Sequence, residues 1–168
     1  MPKIGFDALR DDARLWVFAA DEELDDARAA ELVHRVDAFL EEWNAHGHPL
    51  TAGRELRENR VLLVAVDERS APPSGCSIDA MVRLLKEFEE AAGVTLTDHA
   101  HVMWRDDDDA IHTADRPTFA RLVREGEVGL ETPVFDTTLT VVGEVRGGRL
   151  EVPARDGWHK RAFWRGVA

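Results

Sequence analysis

A chain of 168 residues with 44% hydrophobic residues and a formal charge of −12 is long enough to bury a core without disulfide or metal staples, and one domain over residues 1–168 is expected. No stretch approaches the roughly 18–20 consecutive apolar residues of a spanning helix, and the negative charge argues against nucleic acid or anionic membrane as partner, since both require a positive patch. The single cysteine, Cys76, excludes an internal disulfide; with no signal-like apolar stretch in residues 1–12 it points to a reducing, cytoplasmic setting.

In chain order, the apolar run from Arg14 to Ala20 reads as a strand that leads through Asp21, Glu22 and Glu23 into an amphipathic helix. Leu24, Leu32, Val36, Phe39, Leu40 and Trp43 recur at three- and four-residue spacing on one face. The predicted stop is His46-Gly47, with Pro49 beyond. Leu50–Glu58 is a second strand, Asn59-Arg60 a turn, and Val61–Val66 a strand covered on both faces. Pro72, Pro73 and Gly75 mark a loop, and Ser77 opens a second helix with Ile78, Met81, Val82, Leu85 and Phe88 on its apolar face, ended by Gly93. His99–Trp104 is read as the next strand, closed by Asp106–Asp109.

Strand, helix, strand, strand, helix, strand is the split βαβ order of the ferredoxin-like architecture, so an α+β fold with a ferredoxin-like core over residues 12–105 is expected. The remainder, residues 110–168, is expected to pack on that core as a C-terminal extension. It would contain a short helix from Arg116 to Glu125 and a β-hairpin of Val134–Val145 and Arg149–Val152 turned at Gly147-Gly148.

The segment Ser74-Gly75-Cys76-Ser77-Ile78-Asp79 carries the most chemical information. With Ser77 as N-cap, Cys76 would sit just before a helix, where the positive end of the helix dipole favours thiolate. Asp79, in the first turn, opposes that effect. Gly75 would admit a ligand close to the backbone, and the free backbone N–H groups of Ser77 and Ile78 would offer an anion or oxyanion site. The catalytic candidates are therefore Cys76 as nucleophile or redox thiol, with His46 or His159 as base. Ser74, Gly75, Ser77, Asp79 and Trp158 are candidates for ligand binding. The alternative reading makes Cys76 a small buried apolar residue.

His46-Gly47-His48 and His99-Ala100-His101 are HxH pairs, which on a strand place both rings on one face. The first falls at a predicted helix end and the neighbouring aspartates read as solvated loops, so neither a metal nor a cofactor is expected. Of the five tryptophans, Trp16 and Trp43 fall on predicted core faces. Trp158 and His159 stand in a polar, glycine-containing stretch, where they either close over a site or pin the chain. His159, Lys160, Arg161 and Arg165 gather around Trp158, Phe163 and Trp164, a cluster expected to dock on the chain's own acidic surface sooner than on nucleic acid.

The runs VLLVAVDE, SGCSIDAMVRLLKE and TPVFDTTLTVVGE, with a closing WH, resemble a family of small uncharacterised bacterial proteins of the Bacteroidetes type that carry the label "ABC transporter ATPase". The likeness covers about Trp16 to Phe163. No GxxxxGK[ST] loop is present to hold a nucleotide phosphate, and Ser74-Gly75-Cys76-Ser77 has no lysine, so the resemblance implies a shared fold and a shared site around Cys76 without an ATPase activity. A shorter likeness, Phe119–Val128 followed by Glu131–Phe135, is to the helix-turn-strand segment of GYF-like modules, without their aromatic signature. The functional expectation is a binding or assembly module for a small molecule or protein, a second copy of the chain among the candidate partners, with its ligand site near the Cys76 loop. The alternative is a cysteine-dependent enzyme.

Overall fold

The computed structural model describes residues 3–167. Strand β1 (Arg14–Ala19) precedes helix α1 (Asp26–Glu42), a miniature hairpin of β2 (Asn44–Ala45) and β3 (His48–Pro49), and the longer strands β4 (Thr51–Arg57) and β5 (Val61–Asp67). Helix α2 (Gly75–Ala92), strands β6 (Val102–Arg105) and β7 (Ile111–Ala114) and helix α3 (Arg116–Arg124) follow. Strand β8 (Pro133–Phe135), helix α4 (Val142–Arg146), strand β9 (Glu151–Pro153) and helix α5 (His159–Phe163) complete the elements.

The fold is α+β with antiparallel sheets. In the first sheet β5 lies between β1 and β4, with Arg14 opposite Val66 and Thr51 opposite Asp67. The uninterrupted apolar sequence of β5 is used on both faces. Leu62, Val64 and Val66, with Phe18 of β1, meet Leu32, Val36 and Leu40 of α1 and Met81, Leu85 and Phe88 of α2. Val61, Leu63 and Ala65, with Leu15 and Val17, meet a second sheet through Met103 and Phe135, and α4 through Val142 and Val145. The second sheet has the order β7-β6-β8-β9, and its outer residues Val102, Trp104, Val134 and Val152 pack on Phe119 and Val123 of α3 and on Phe163. Period-two alternation thus stacks helices, sheet, sheet and helices in four layers. Arg60 bridges the sheets: its buried guanidinium donates to the carbonyls of Ala20, Asp21 and Ile111.

The strand expected to lie beside β1 joins the other sheet. After α2 the chain does run along β1, where the Asp21 N–H donates to the Thr95 carbonyl at 3.1 Å and the His99 ring lies 5.9 Å from that of Phe18. The Glu89 carboxylate, however, accepts the backbone N–H groups of Leu96 and Thr97. Those donors are turned back onto α2 and are not available to a ladder with β1. The strand forms later, at Val102–Arg105, and pairs with β7 and β8. It excludes His99 and His101, which therefore do not form the same-face pair that a strand would create.

Two further expectations change. Gly147-Gly148 does not turn a hairpin: β8 and β9 pair, but α4 lies between them, because the Glu144 carboxylate accepts the N–H groups of Thr140 and Val141 and starts a helix where alternation suggested a strand. The turn between β4 and β5 is Glu58-Asn59, with φ of 53° and 52°, the twist that suits a two-residue hairpin; Arg60 is thereby released to the buried bridge described above.

Candidate functional site

Helix α1 ends earlier than its apolar periodicity suggests. Trp43 is extended, with φ −66° and ψ 129°, and its indole N–H donates to the Ser77 carbonyl at 2.9 Å, a buried bond between the end of α1 and the first turn of α2. The chain then makes the β2–β3 hairpin, with His46 (φ 51°) and Gly47 (φ 80°) as its turn. Both residues occupy the left-handed region, which glycine adopts freely and a histidine only at a cost. The hairpin carries the His46 ring, exposed, to the start of α2.

Helix α2 also starts earlier than expected. Ser74 is the N-cap: its side chain accepts the Ser77 N–H at 3.1 Å, while the Ser77 hydroxyl accepts the Ser74 N–H at 2.7 Å and donates to the Ser74 carbonyl at 2.8 Å. This is a reciprocal capping box. Three consequences follow. Cys76 lies inside the first turn, exposed, and does not precede the cap. Ser77, 4% exposed, is occupied in holding the helix start and does not assist the thiol. Asp79 lies a turn further along and outside the cleft. With the Ser77 N–H taken by Ser74 and the Ile78 N–H by the Ser74 carbonyl, the N–H groups of Gly75 and Cys76 are the donors that a helix start leaves over. A side chain at Gly75 would point into open space.

Between hairpin and helix is an open cleft of about 460 Å³. Its apolar wall is Phe39 and Trp43, its polar rim Glu42, Asn44, His46 and Ser74, and Cys76 stands at the α2 side. His46 and Cys76, thirty positions apart in the chain, are thus brought to one concavity, although among the described residues no hydrogen bond links them. Phe39, Glu42, Trp43 and Asn44 were not read from sequence as site residues. Trp43 was read as core, and the signal that could have distinguished it is a tryptophan at a helix end, directly before an Asn-Ala-His-Gly turn.

His159 and Trp158 are not brought to Cys76. They pack on the outer face of the second sheet, with both sheets between them and α2. His159 is wholly buried, stacked on Trp158 with ring centroids 4.0 Å apart, and Arg116 lies over the Trp158 ring at 4.9 Å. Burial pushes the His159 imidazole down to about 4, with Asp136 acting in the opposite sense and Arg116 in the same one. Such an imidazole is neutral near pH 7 and shielded from solvent. The structure leaves Trp158 as a pin for the chain, and His46 as the one histidine candidate in the cleft.

Among the described residues no group of three or more His, Cys, Asp or Glu is placed to hold a metal ion, and no helix is long and apolar enough to cross a membrane. Of the HxH pairs, His46 lies in the hairpin turn and His48 opens β3, and His101 lies 3.4 Å from Asp98. No family model, curated protein or solved structure matches the chain, so the site rests on its own geometry.

Proposed function

We propose that the chain is a binding module for a small molecule with an apolar body and one hydrogen-bond-accepting end, held in the cleft between the β2–β3 turn and α2. The observation that carries this reading is the convergence of an aromatic wall, Phe39 and Trp43, with the start of α2 at Ser74 and Cys76, where the capping box leaves the Cys76 N–H over, at one concavity. Apolar surface with a few placed polar groups is the usual composition of a ligand site, and N–H groups at a helix start favour an oxygen of partial or full negative charge. The capping box and the Trp43–Ser77 bond hold both walls in place before any ligand arrives, which lowers the ordering cost of binding.

The same reading treats β1, α1 and β4, with β5 inserted between the two strands, as a ferredoxin-like split βαβ unit whose fourth position is filled by the unladdered stretch over residues 94–101. Assembly through sheet edges has less support. The β4 edge is covered where the Ile4 N–H donates to the Ala52 carbonyl, and the start of β1 where the Leu15 N–H donates to the Thr140 carbonyl.

A second reading, a cysteine-dependent enzyme, is favoured by one observation, the shared cleft of Cys76 and His46. Cys76→Ser separates the two. A panel of aryl and alkyl carboxylates is screened by thermal shift and Trp fluorescence, and each hit is tested for protection of Cys76 from iodoacetamide, followed by intact mass with a denatured control. The binding reading expects a hit that slows alkylation and is retained within about threefold by the serine variant, because the N–H donors are backbone groups. A panel without hits, together with Cys76 alkylation well below the free-thiol pKa of about 8.5, moves the assignment to the enzyme.

A further inference from the structure

The end of α5 carries a second cleft, of about 490 Å³, on the opposite outer layer from the first. Leu130, Trp164 and Val167 make its apolar surface, and Lys160, Arg161 and Arg165 surround it. Leu130 and Val167 are the two large hydrophobic side chains exposed among the described residues, at 37% and 36%. The neighbouring Arg121 and Arg155 are paired with Glu125 and Glu131, whereas no carboxylate among the described residues pairs with Lys160, Arg161 or Arg165. In a chain with 33 acidic residues against 21 Lys and Arg, three adjacent unpaired cations contradict the expectation that this cluster docks on the chain's own acidic surface. Lys160 and Arg161 complement the C-terminal dipole of α5, but Arg165 lies beyond it.

We propose that this cleft docks a short acidic segment of another polypeptide, with an apolar side chain seated against Leu130 and Trp164 and its flanking carboxylates on Lys160, Arg161 and Arg165. Concavity decides against a membrane: a bilayer surface receives protruding apolar side chains, and a cleft receives one from outside. Three cations around one cleft match the few carboxylates of a short segment and fall short of the extended positive stripe that a nucleic-acid backbone requires. A two-fold pairing of this cleft with itself would set the three cations of one copy against those of the other, so the occupant is a different, acidic segment. Charge complementarity at such a rim governs encounter and selectivity, and the apolar contact supplies the anchor.

The test is fluorescence anisotropy of the full chain at low salt with a short fluorescein-labelled peptide of Glu, Asp and Leu. The parallel probes are the same peptide with Gly in place of Leu, an oligouridylate, and vesicles of phosphatidylserine and phosphatidylcholine. The Leu peptide is expected to bind more tightly than the other three probes. Reversing the rim, Lys160→Glu with Arg161→Glu and Arg165→Glu, is expected to weaken it by about tenfold or more, and Leu130→Ala by several-fold. Arg83→Glu with Lys86→Glu on α2 changes the net charge in the same direction and is expected to leave binding within about twofold. If the triple variant fails to fold, Arg165→Glu alone, outside α5, is expected to weaken binding by about threefold. Unchanged binding after rim reversal, equal affinity for the Gly peptide, or preference for the oligouridylate or the vesicles would overturn the proposal.

Discussion

Trp43 in the α1–α2 layer and Trp158 in the α3–α5 layer each have a histidine close by in sequence, and their polar atoms have opposite fates. The indole N–H of Trp43 donates to the Ser77 carbonyl, and His46 stands exposed on the adjoining turn. The indole nitrogen of Trp158 and both ring nitrogens of His159 are buried without a hydrogen-bond partner among the described residues. In the first region an internal bond fixes the architecture and leaves the imidazole and the thiol of Cys76 available at an open cleft. In the second, aromatic stacking and burial fix the architecture, and its stability depends on the imidazole staying neutral, because a charged ring there is wholly shielded from solvent and faces no hydrogen-bond acceptor among the described residues.

The largest effect that could break this contrast lies in pH. The folded-state pKa of His159, about 4, is below its ordinary value of 6.5. Its contribution to stability is therefore fully present above about 6.5 and is lost as pH falls toward 4, with no further loss from this group below that. The difference amounts to about 3 kcal/mol. Urea unfolding of the wild type and of His159→Leu across that range is expected to show a steeper acid loss in the wild type. Parallel curves would mean that His159 finds a proton acceptor in the folded chain.

A smaller effect sharpens the other side. Ser74→Ala removes the acceptor for the Ser77 N–H and is expected to cost about 1 kcal/mol, with a change in Trp43 fluorescence because the first turn of α2 holds the indole. A loss of stability with no fluorescence change would show that Trp43 is held independently of the cap. The smallest effect is expected from His46→Asn, within about 0.5 kcal/mol. Asparagine tolerates the positive φ at this turn, so the variant removes the imidazole and keeps the hairpin. A larger loss would give His46 a structural role and remove it from the candidate site.

Legibility varied with the range of the interaction concerned. The α2 face of Met81, Leu85 and Phe88, the Gly93 stop at φ 71° and the doubly covered β5 are local or periodic properties, and all were readable. Strand β7, Ile111–Ala114, went unread because its four residues contain only one large aliphatic side chain. Element starts went wrong at three places where a side chain captured backbone donors: Ser74 at α2, Glu144 at α4 and Glu89 after α2. Half of the candidate site was visible, since the Ser-Gly-Cys-Ser run marks a helix start by its own chemistry. Its partner wall of Phe39 and Trp43 was not, because apolar spacing continues to Trp43 as though the helix did.

The sequence by itself determined the types of β1, α1, β4, β5, α2 and α3, the apolar faces of α1 and α2 and a helix start next to Cys76, since these follow from periodicity and capping chemistry within a few residues. Only the tertiary structure decided that β6 leaves the first sheet, that His46 shares a cleft with Cys76 while His159 is buried two layers away, and that Lys160, Arg161 and Arg165 are left without acidic partners among the described residues. Each of those outcomes is a competition among distant groups for the same donors, apolar surfaces or charges, and spacing along the chain does not encode which competitor wins.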